Sequence, residues 1–158
     1  ETAHTPESLR TYIYGSAEVV GLMCLAAFLV DHPVAPEVRA RLEHGARSLG
    51  SAFQKINFLR DLAEDSRDLG RTYLPDLTDE TKPAFIAGVR AELGDARAVL
   101  PLLPGQARVG VLAATDLFSE LTELLDAASV AALRTHRVSV PNRRKVALVA
   151  RAMVKAGR

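Results

Sequence analysis

The stretch Gln54–Pro75, QKINFLRDLAEDSRDLGRTYLP, decides the fold. At about 100° per residue, Gln54, Asn57, Asp61 and Asp65 fall within a sector of roughly 60° to 80° on one long helix. Leu49, Ala52, Phe53, Ile56, Leu59, Leu62 and Ala63 spread over much of the remaining circumference, so the helix belongs inside a bundle. Its polar stripe then faces either solvent or an internal polar cavity. Carboxylates four apart on a helix can grip one Mg²⁺ ion, which takes one or two protein carboxylates, keeps waters and fills its other positions with phosphate oxygens. A cavity therefore implies a substrate carrying phosphate or diphosphate.

A solvated face is the competing reading, because surface helices also carry acidic residues at i and i+4. Two amides in the stripe favour the cavity, since Gln and Asn add nothing to solubility that Lys or Glu would not. The abrupt end of the run in the basic and aromatic segment Gly70, Arg71, Thr72, Tyr73, Leu74, Pro75 points the same way.

These residues resemble the second aspartate-rich motif of the squalene and phytoene synthases, whose usual form is close to N-I-L-R-D-V-x-E-D followed by G-R-x-Y-L-P. The match takes in Gln54, Asn57, Leu59, Arg60, Asp61, Glu64, Asp65, Gly70, Arg71, Tyr73, Leu74 and Pro75. Ser66–Leu69 is one residue longer than the commonest spacing, which bears on Arg71 and Tyr73 rather than on Asp61 and Asp65. A second block, Tyr12–Phe28 (YIYGSAEVVGLMCLAAF), resembles the family's Tyr-x-x-x-Val-Ala-Gly-x-Val-Gly helix. Ser16 and Glu18 replace the usual Val and Gly, and the variant GSAEVVGLM is similar to bacterial phytoene synthases of actinobacterial type. Without the resemblance, Gly15, Ser16, Ala17 and Gly21 read as a close helix-packing seam and Tyr12 as a helix-end aromatic. More weakly, Arg108, Phe118, Leu121, Leu125, Arg137, Val138, Val140, Pro141 and Lys145 resemble the family's closing pattern, with Phe118 where Tyr is commoner.

Punctuation divides the chain into five or six helices and the fold class is all-α. Thr5 caps a first helix with Pro6 at its first position, ending before His32-Pro33. A second, unusually long helix runs from Pro36 to about Asp68. A third covers roughly Lys82–Leu100 before Pro101 and Pro104-Gly105, a fourth Gln106–Leu125, then a short piece Ser129–Arg134 and a last helix capped at Asn142. Val138-Ser139-Val140 is the one place for a short strand.

Composition fits one domain spanning 1–158: 48% hydrophobic residues supply a core and 25% charged residues an ordinary soluble surface. The apolar run Val19–Val30 is too short to span a bilayer and reads as a buried helix core. No signal peptide is visible, and the lone Cys24, read as a small buried hydrophobe, excludes an internal disulfide. These features fit a cytoplasmic protein. The histidines lack zinc spacing, and no Ser-His-Asp set, phosphate loop or dinucleotide fingerprint is present.

The net charge is only +1, yet no acidic residue follows Asp126 while eight basic ones do. The tail lacks interleaved aromatics, which argues against nucleic acid. Two readings suit it: arginines, Arg137 first, help hold diphosphate, or the final helix rests on anionic lipid at the inner membrane face.

The resemblance implies an isoprenoid-synthase-type bundle around a central cavity and head-to-head condensation of two geranylgeranyl diphosphates to phytoene through a cyclopropyl diphosphate intermediate. Farnesyl diphosphate, as in squalene or dehydrosqualene synthases, and a non-catalytic assembly module of the same fold are the alternatives. Asp61, Asp65 and Asn57 would hold Mg²⁺, with Mn²⁺ as substitute. Tyr12 would lie beside the reacting carbons, and Ala17, Val20 and Gly21 would pass the prenyl chain. Gln54, Arg60, Arg71, Tyr73 and Arg137 would contact substrate, although Arg60 lies roughly 100° off the stripe and can instead brace a neighbouring helix. The family's first aspartate-rich motif has no counterpart upstream of Tyr12. The chain is thus expected to be the C-terminal part of a synthase, inactive alone, partnered by the missing N-terminal half or by another copy.

Overall fold

The computed structural model describes residues 2–64 and 71–156, so Asp65 and Gly70 lie outside the described residues. It is all-α. Thr5 caps α1 (Pro6–Ile13), its hydroxyl accepting from the Ser8 amide at 3.1 Å. The chain then widens into a π-turn, Tyr14–Glu18, closed by the Val19 amide donating to the Tyr14 carbonyl, and continues as α2 (Val19–Phe28). The expected first helix is therefore one rod with an inserted residue, which turns Tyr12 relative to Val20 and Gly21.

Pro36 opens α3 (Pro36–Arg60), and a single turn α4 (Leu62–Glu64) follows. The expected helix to Asp68 is interrupted at Asp61, which leaves helical geometry (φ −97°, ψ 8°). Its amide still reaches the Asn57 carbonyl at 2.9 Å, but the next turn tightens, Glu64 donating to the Asp61 carbonyl. After the loop come α5 (Lys82–Val99), a 3₁₀ turn (Leu100–Leu102), α6 (Gly105–Ala127), α7 (Val130–Leu133) and α8 (Asn142–Ala156). Residues 138–140 form no strand. The strand pairing among the described residues is a two-residue parallel one, β1 (Thr2–Ala3) with β2 (Arg71–Thr72), which draws the N-terminal segment alongside the end of the Gln54–Pro75 stretch.

Helix α3 is the hub, packed against α5, α6, α2 and the π-turn, while α8 lies on α6. The C-terminal half of α3, the N-terminal half of α5 and the C-terminal half of α6 meet in a closed core containing Ile56, Leu59, Ile86, Val89, Leu121 and Leu125, all buried. The opposite ends of the same helices form a smaller cluster around Leu42, Val99 and Leu103, joined by Leu25 and Leu29 of the first rod.

Two expectations about the first rod are overturned. The Val19–Val30 run is not a buried core: Leu25 and Leu29 point inward, but Met23 is 66% and Val30 75% exposed. Cys24 is exposed as well. Residues Pro6–Phe28 together are long and apolar enough, by length and composition, to cross a membrane. In the structure the rod lies along α3, and glycine permits the approach: a Cβ on Gly21 would overlap the Ala46 carbonyl oxygen, and one on Gly50 the Ala17 carbonyl oxygen. The expected small-residue seam thus exists at Ala17 and Gly21. Gly15 faces open space and takes no part.

Candidate functional site

Between the first rod, α3, α5 and α6 lies an apolar groove of about 540 Å³. Ala17, Val20, Gly21 and Gln54 line it. Sequence reasoning missed Gly45, Gly50 and Gly110, which also line it; Gly110 faces open space, while Gly45 and Gly50 admit Val99 and the Ala17 carbonyl, and no local pattern marks them, since they sit on α3 and α6 and converge only in the fold. The stacked rings Phe53 and Phe118, 3.8 Å between centroids, lie where the groove meets the closed core.

Gln54 belongs to the groove, and Asn57 and Asp61 follow it along α3 by one and two turns. Asp61 carries the electrostatics. Arg60 Nε donates to Asp61 Oδ1 at 2.8 Å and Nη2 to Oδ2 at 2.6 Å, a bidentate pair. Neighbours in sequence do not face one another on a regular helix; they meet here because Asp61 is the residue at which the helix ends. Among the described residues the hydrogen bonds of Arg60 go to Asp61. Its hydrogen bond to Asp61, with the nearby charges of Asp61 and Glu64, outweighs burial and raises the guanidinium above its ordinary value.

Arg137 closes the cluster from the far end of the chain, its Nε lying 3.2 Å from Asp61 Oδ1 and its Nη1 3.4 Å from Glu64 Oε1. Several local bonds deliver it. Ser129 caps α7, accepting from the Ala132 amide, the Val130 amide donates to Asp79 Oδ1 at 2.8 Å, and Arg134 donates to the Leu77 carbonyl. Leu133 is fully buried beneath. Among the described residues, the cluster thus brings two arginines to face two carboxylates. Beside it, Asn57 Oδ1 is buried without a hydrogen-bond partner among the described residues, an orphaned acceptor that costs stability unless something meets it.

That orphaned oxygen and the Asp61 carboxylate are hard donors of the kind Mg²⁺ takes, and they fit such an ion that completes its shell with phosphate oxygens and water. Among the described residues no group of three or more His, Cys, Asp or Glu is placed to hold a metal unaided. The other expected ligand, Asp65, lies outside the described residues, and Arg71 is placed by its backbone in β2.

Tyr12 and Tyr73 come together in an aromatic cluster. Tyr73 stacks on Phe58 (4.4 Å) and on His4 (5.2 Å), and Tyr12 packs against Tyr73 at 5.5 Å and Phe58 at 6.1 Å. His4, one of the histidines without zinc spacing, is part of this wall. Only the β1–β2 pairing reveals that, because it brings the N-terminal segment beside the loop.

The comparisons with known proteins point one way. Residues 1–78 match the family model of squalene/phytoene synthase. The likeness is to that family. A bifunctional lycopene cyclase/phytoene synthase of Colletotrichum graminicola is 28% identical over 89% of this chain, and that of Neurospora crassa 26% over 93%. A chloroplastic phytoene synthase of an Oncidium hybrid cultivar is 41% identical over 44% of the chain. The chain spans 28%, 29% and 16% of the length of these three relatives. The matched segment contains the groove-lining π-turn, the Asp61 turn and Tyr73, so the likeness covers most of the geometry just described.

Proposed function

We propose that this chain supplies one prenyl-diphosphate site of a head-to-head prenyltransferase of the phytoene synthase type. The observation that carries the reading is continuity: an apolar groove leads along α3 through Gln54 to an orphaned Asn57 oxygen and an arginine-held Asp61. The groove takes an isoprenoid chain, excluding water from a carbocation. Bound magnesium would supply charge stabilisation to the departing diphosphate. Asp61, Asn57 and Asp65 would hold that ion, with Mn²⁺ as substitute.

The cluster gives the arginines their part. An arriving diphosphate competes with Asp61 and Glu64 for Arg137 and Arg60, and each arginine that turns to phosphate frees a carboxylate for the cation. Each arginine keeps an anionic partner through the exchange, which avoids the cost of an unpartnered ion in a half-buried site. Gln54 orients the head group, while Tyr12 and Tyr73 form the wall beside the reacting carbons. Geranylgeranyl rather than farnesyl diphosphate is the preferred substrate, in keeping with the GSAEVVGLM variant. Condensation needs a second diphosphate site, and the exposed apolar face of α2 is where further protein would complete it, so the 158 residues alone are inactive.

The test is calorimetric binding of a non-hydrolysable geranylgeranyl diphosphate analogue with and without Mg²⁺, on the chain and on Asp61→Asn/Asp65→Asn. Metal-dependent binding that disappears in the double variant is expected. Binding that ignores the metal, or survives in the double variant, would sink the assignment.

A further inference from the structure

We propose that α8 is an interfacial helix whose outward face rests on an anionic lipid surface. It lies outside the residues that match the family model, and the proposal does not depend on the reaction assigned above. Its inner face is spoken for: Leu148 and Ala152 are buried, and Arg144 is tied to Glu120 of α6 by Nε–Oε1 and Nη2–Oε2 bonds of 2.9 and 3.1 Å. Its outer face should therefore be polar, as on any helix with one side in a core. It is not. Val146, Val149 and Met153 fall within roughly a 60° sector on the side away from α6, and Val146 is 70%, Met153 60% and the adjoining Val154 63% exposed.

Charge decides what covers this stripe. Lys145 borders it on one side and Arg143 on the other, both exposed, with Arg151 and Lys155 on the remaining circumference. The chain has no acidic residue after Asp126 to offset them. An apolar stripe bordered by cations whose stems can bend to the head-group level suits a bilayer that is apolar within and negative at its surface. The exposed face of α2 is different, since the run that carries Val20, Met23 and Val30 has no lysine or arginine between Arg10 and Arg39. It matches an apolar protein face and has no means of selecting anionic lipid.

The sequence contains no tryptophan, so Met153→Trp in the full chain creates a single emitter on the stripe. Adding phosphatidylglycerol-containing vesicles should shift its emission to the blue, and pure phosphatidylcholine should not. Rising salt should weaken the partitioning as the cations are screened. Arg143→Gln/Lys145→Gln should lower it by about 30-fold, taking about 1 kcal/mol per basic side chain at a negative surface. Far-UV circular dichroism checks that these surface variants remain folded. An emission that stays at its aqueous position with anionic vesicles overturns the proposal, as does partitioning unchanged by loss of the two cations. A blue-shifted, concentration-dependent emission without lipid also overturns it, because a second copy of the chain would then cover the stripe.

Discussion

The same three helices build two unlike places. At one end α3, α5 and α6 interlock through Ile56, Leu59, Ile86, Val89 and Leu125, each at or near zero exposure. At the other end they enclose a groove of about 540 Å³. Helix spacing does not explain the contrast, because the first rod touches α3 closely enough that Gly21 and Gly50 admit no side chain. Side-chain size contributes to the hollow: Ala46, Gly110 and Ala114 line the open end among larger apolar residues, and a Cβ on Gly110 meets nothing within 4 Å. Interiors ordinarily pack as densely as crystals, so a space of this size bordered by small residues is a built cavity rather than a packing defect.

The largest effect is expected where the contrast is simplest to break. Leu125 has no exposed surface and sits in the closed core. Leu125→Ala should cost about 2–5 kcal/mol, because the surrounding helices cannot collapse into the void. Urea unfolding would measure it as a lower midpoint at unchanged slope. A loss well under 1 kcal/mol would mean that this end is loose too, and the two ends would no longer differ in kind.

A smaller effect is expected at Lys82, which is buried although charged. Its Nζ donates to the carbonyls of Leu125 (3.3 Å), Asp126 (2.7 Å) and Ala128. These carbonyls lie at the C-terminus of α6, where helical partners run out and the dipole favours a cation. The lysine at the start of α5 therefore closes the end of α6. Lys82→Met keeps most of the apolar stem and leaves the carbonyls short of a donor, which should cost about 1–3 kcal/mol. A variant as stable as the parent would show that water serves the carbonyls equally well.

These two regions were unequally legible in the sequence. Helix starts at Thr5-Pro6, Pro36, Lys82 and Asn142 were readable because prolines and capping residues act locally. The break at Asp61 was not: NFLRDLAED contains neither glycine nor proline, and the chain turns where Arg60 and Arg137 take hold of Asp61. The π-turn was hidden because Tyr14–Glu18 contains neither a proline nor another helix breaker beyond Gly15, so nothing local marks the inserted residue. Hydropathy gave the burial of Val19–Val30 the wrong sign, since it records which residues prefer to be covered and not whether anything covers them. The acidic turn and its groove residues came from motif likeness, and the three further glycines that line the groove became apparent only with the helices in place.

Gly110 offers the smallest change in stability and the sharpest separation of the two ends. It lines the groove, and a Cβ built on it meets nothing within 4 Å. A closed-core position could not accept a new side chain without strain of about 1–3 kcal/mol. Here Gly110→Leu enters open space, and replacing a mid-helix glycine removes a propensity penalty of about 0.5–1 kcal/mol. The variant should be as stable as the parent or slightly more so, with its urea midpoint moved upward, while the space for an isoprenoid chain shrinks by a leucine side chain. Binding of the geranylgeranyl analogue should weaken, and inorganic diphosphate, which needs only the Asp61 end, should bind as before. A destabilised variant would show the groove to be tighter in solution than its lining implies; unchanged analogue binding would place the chain elsewhere.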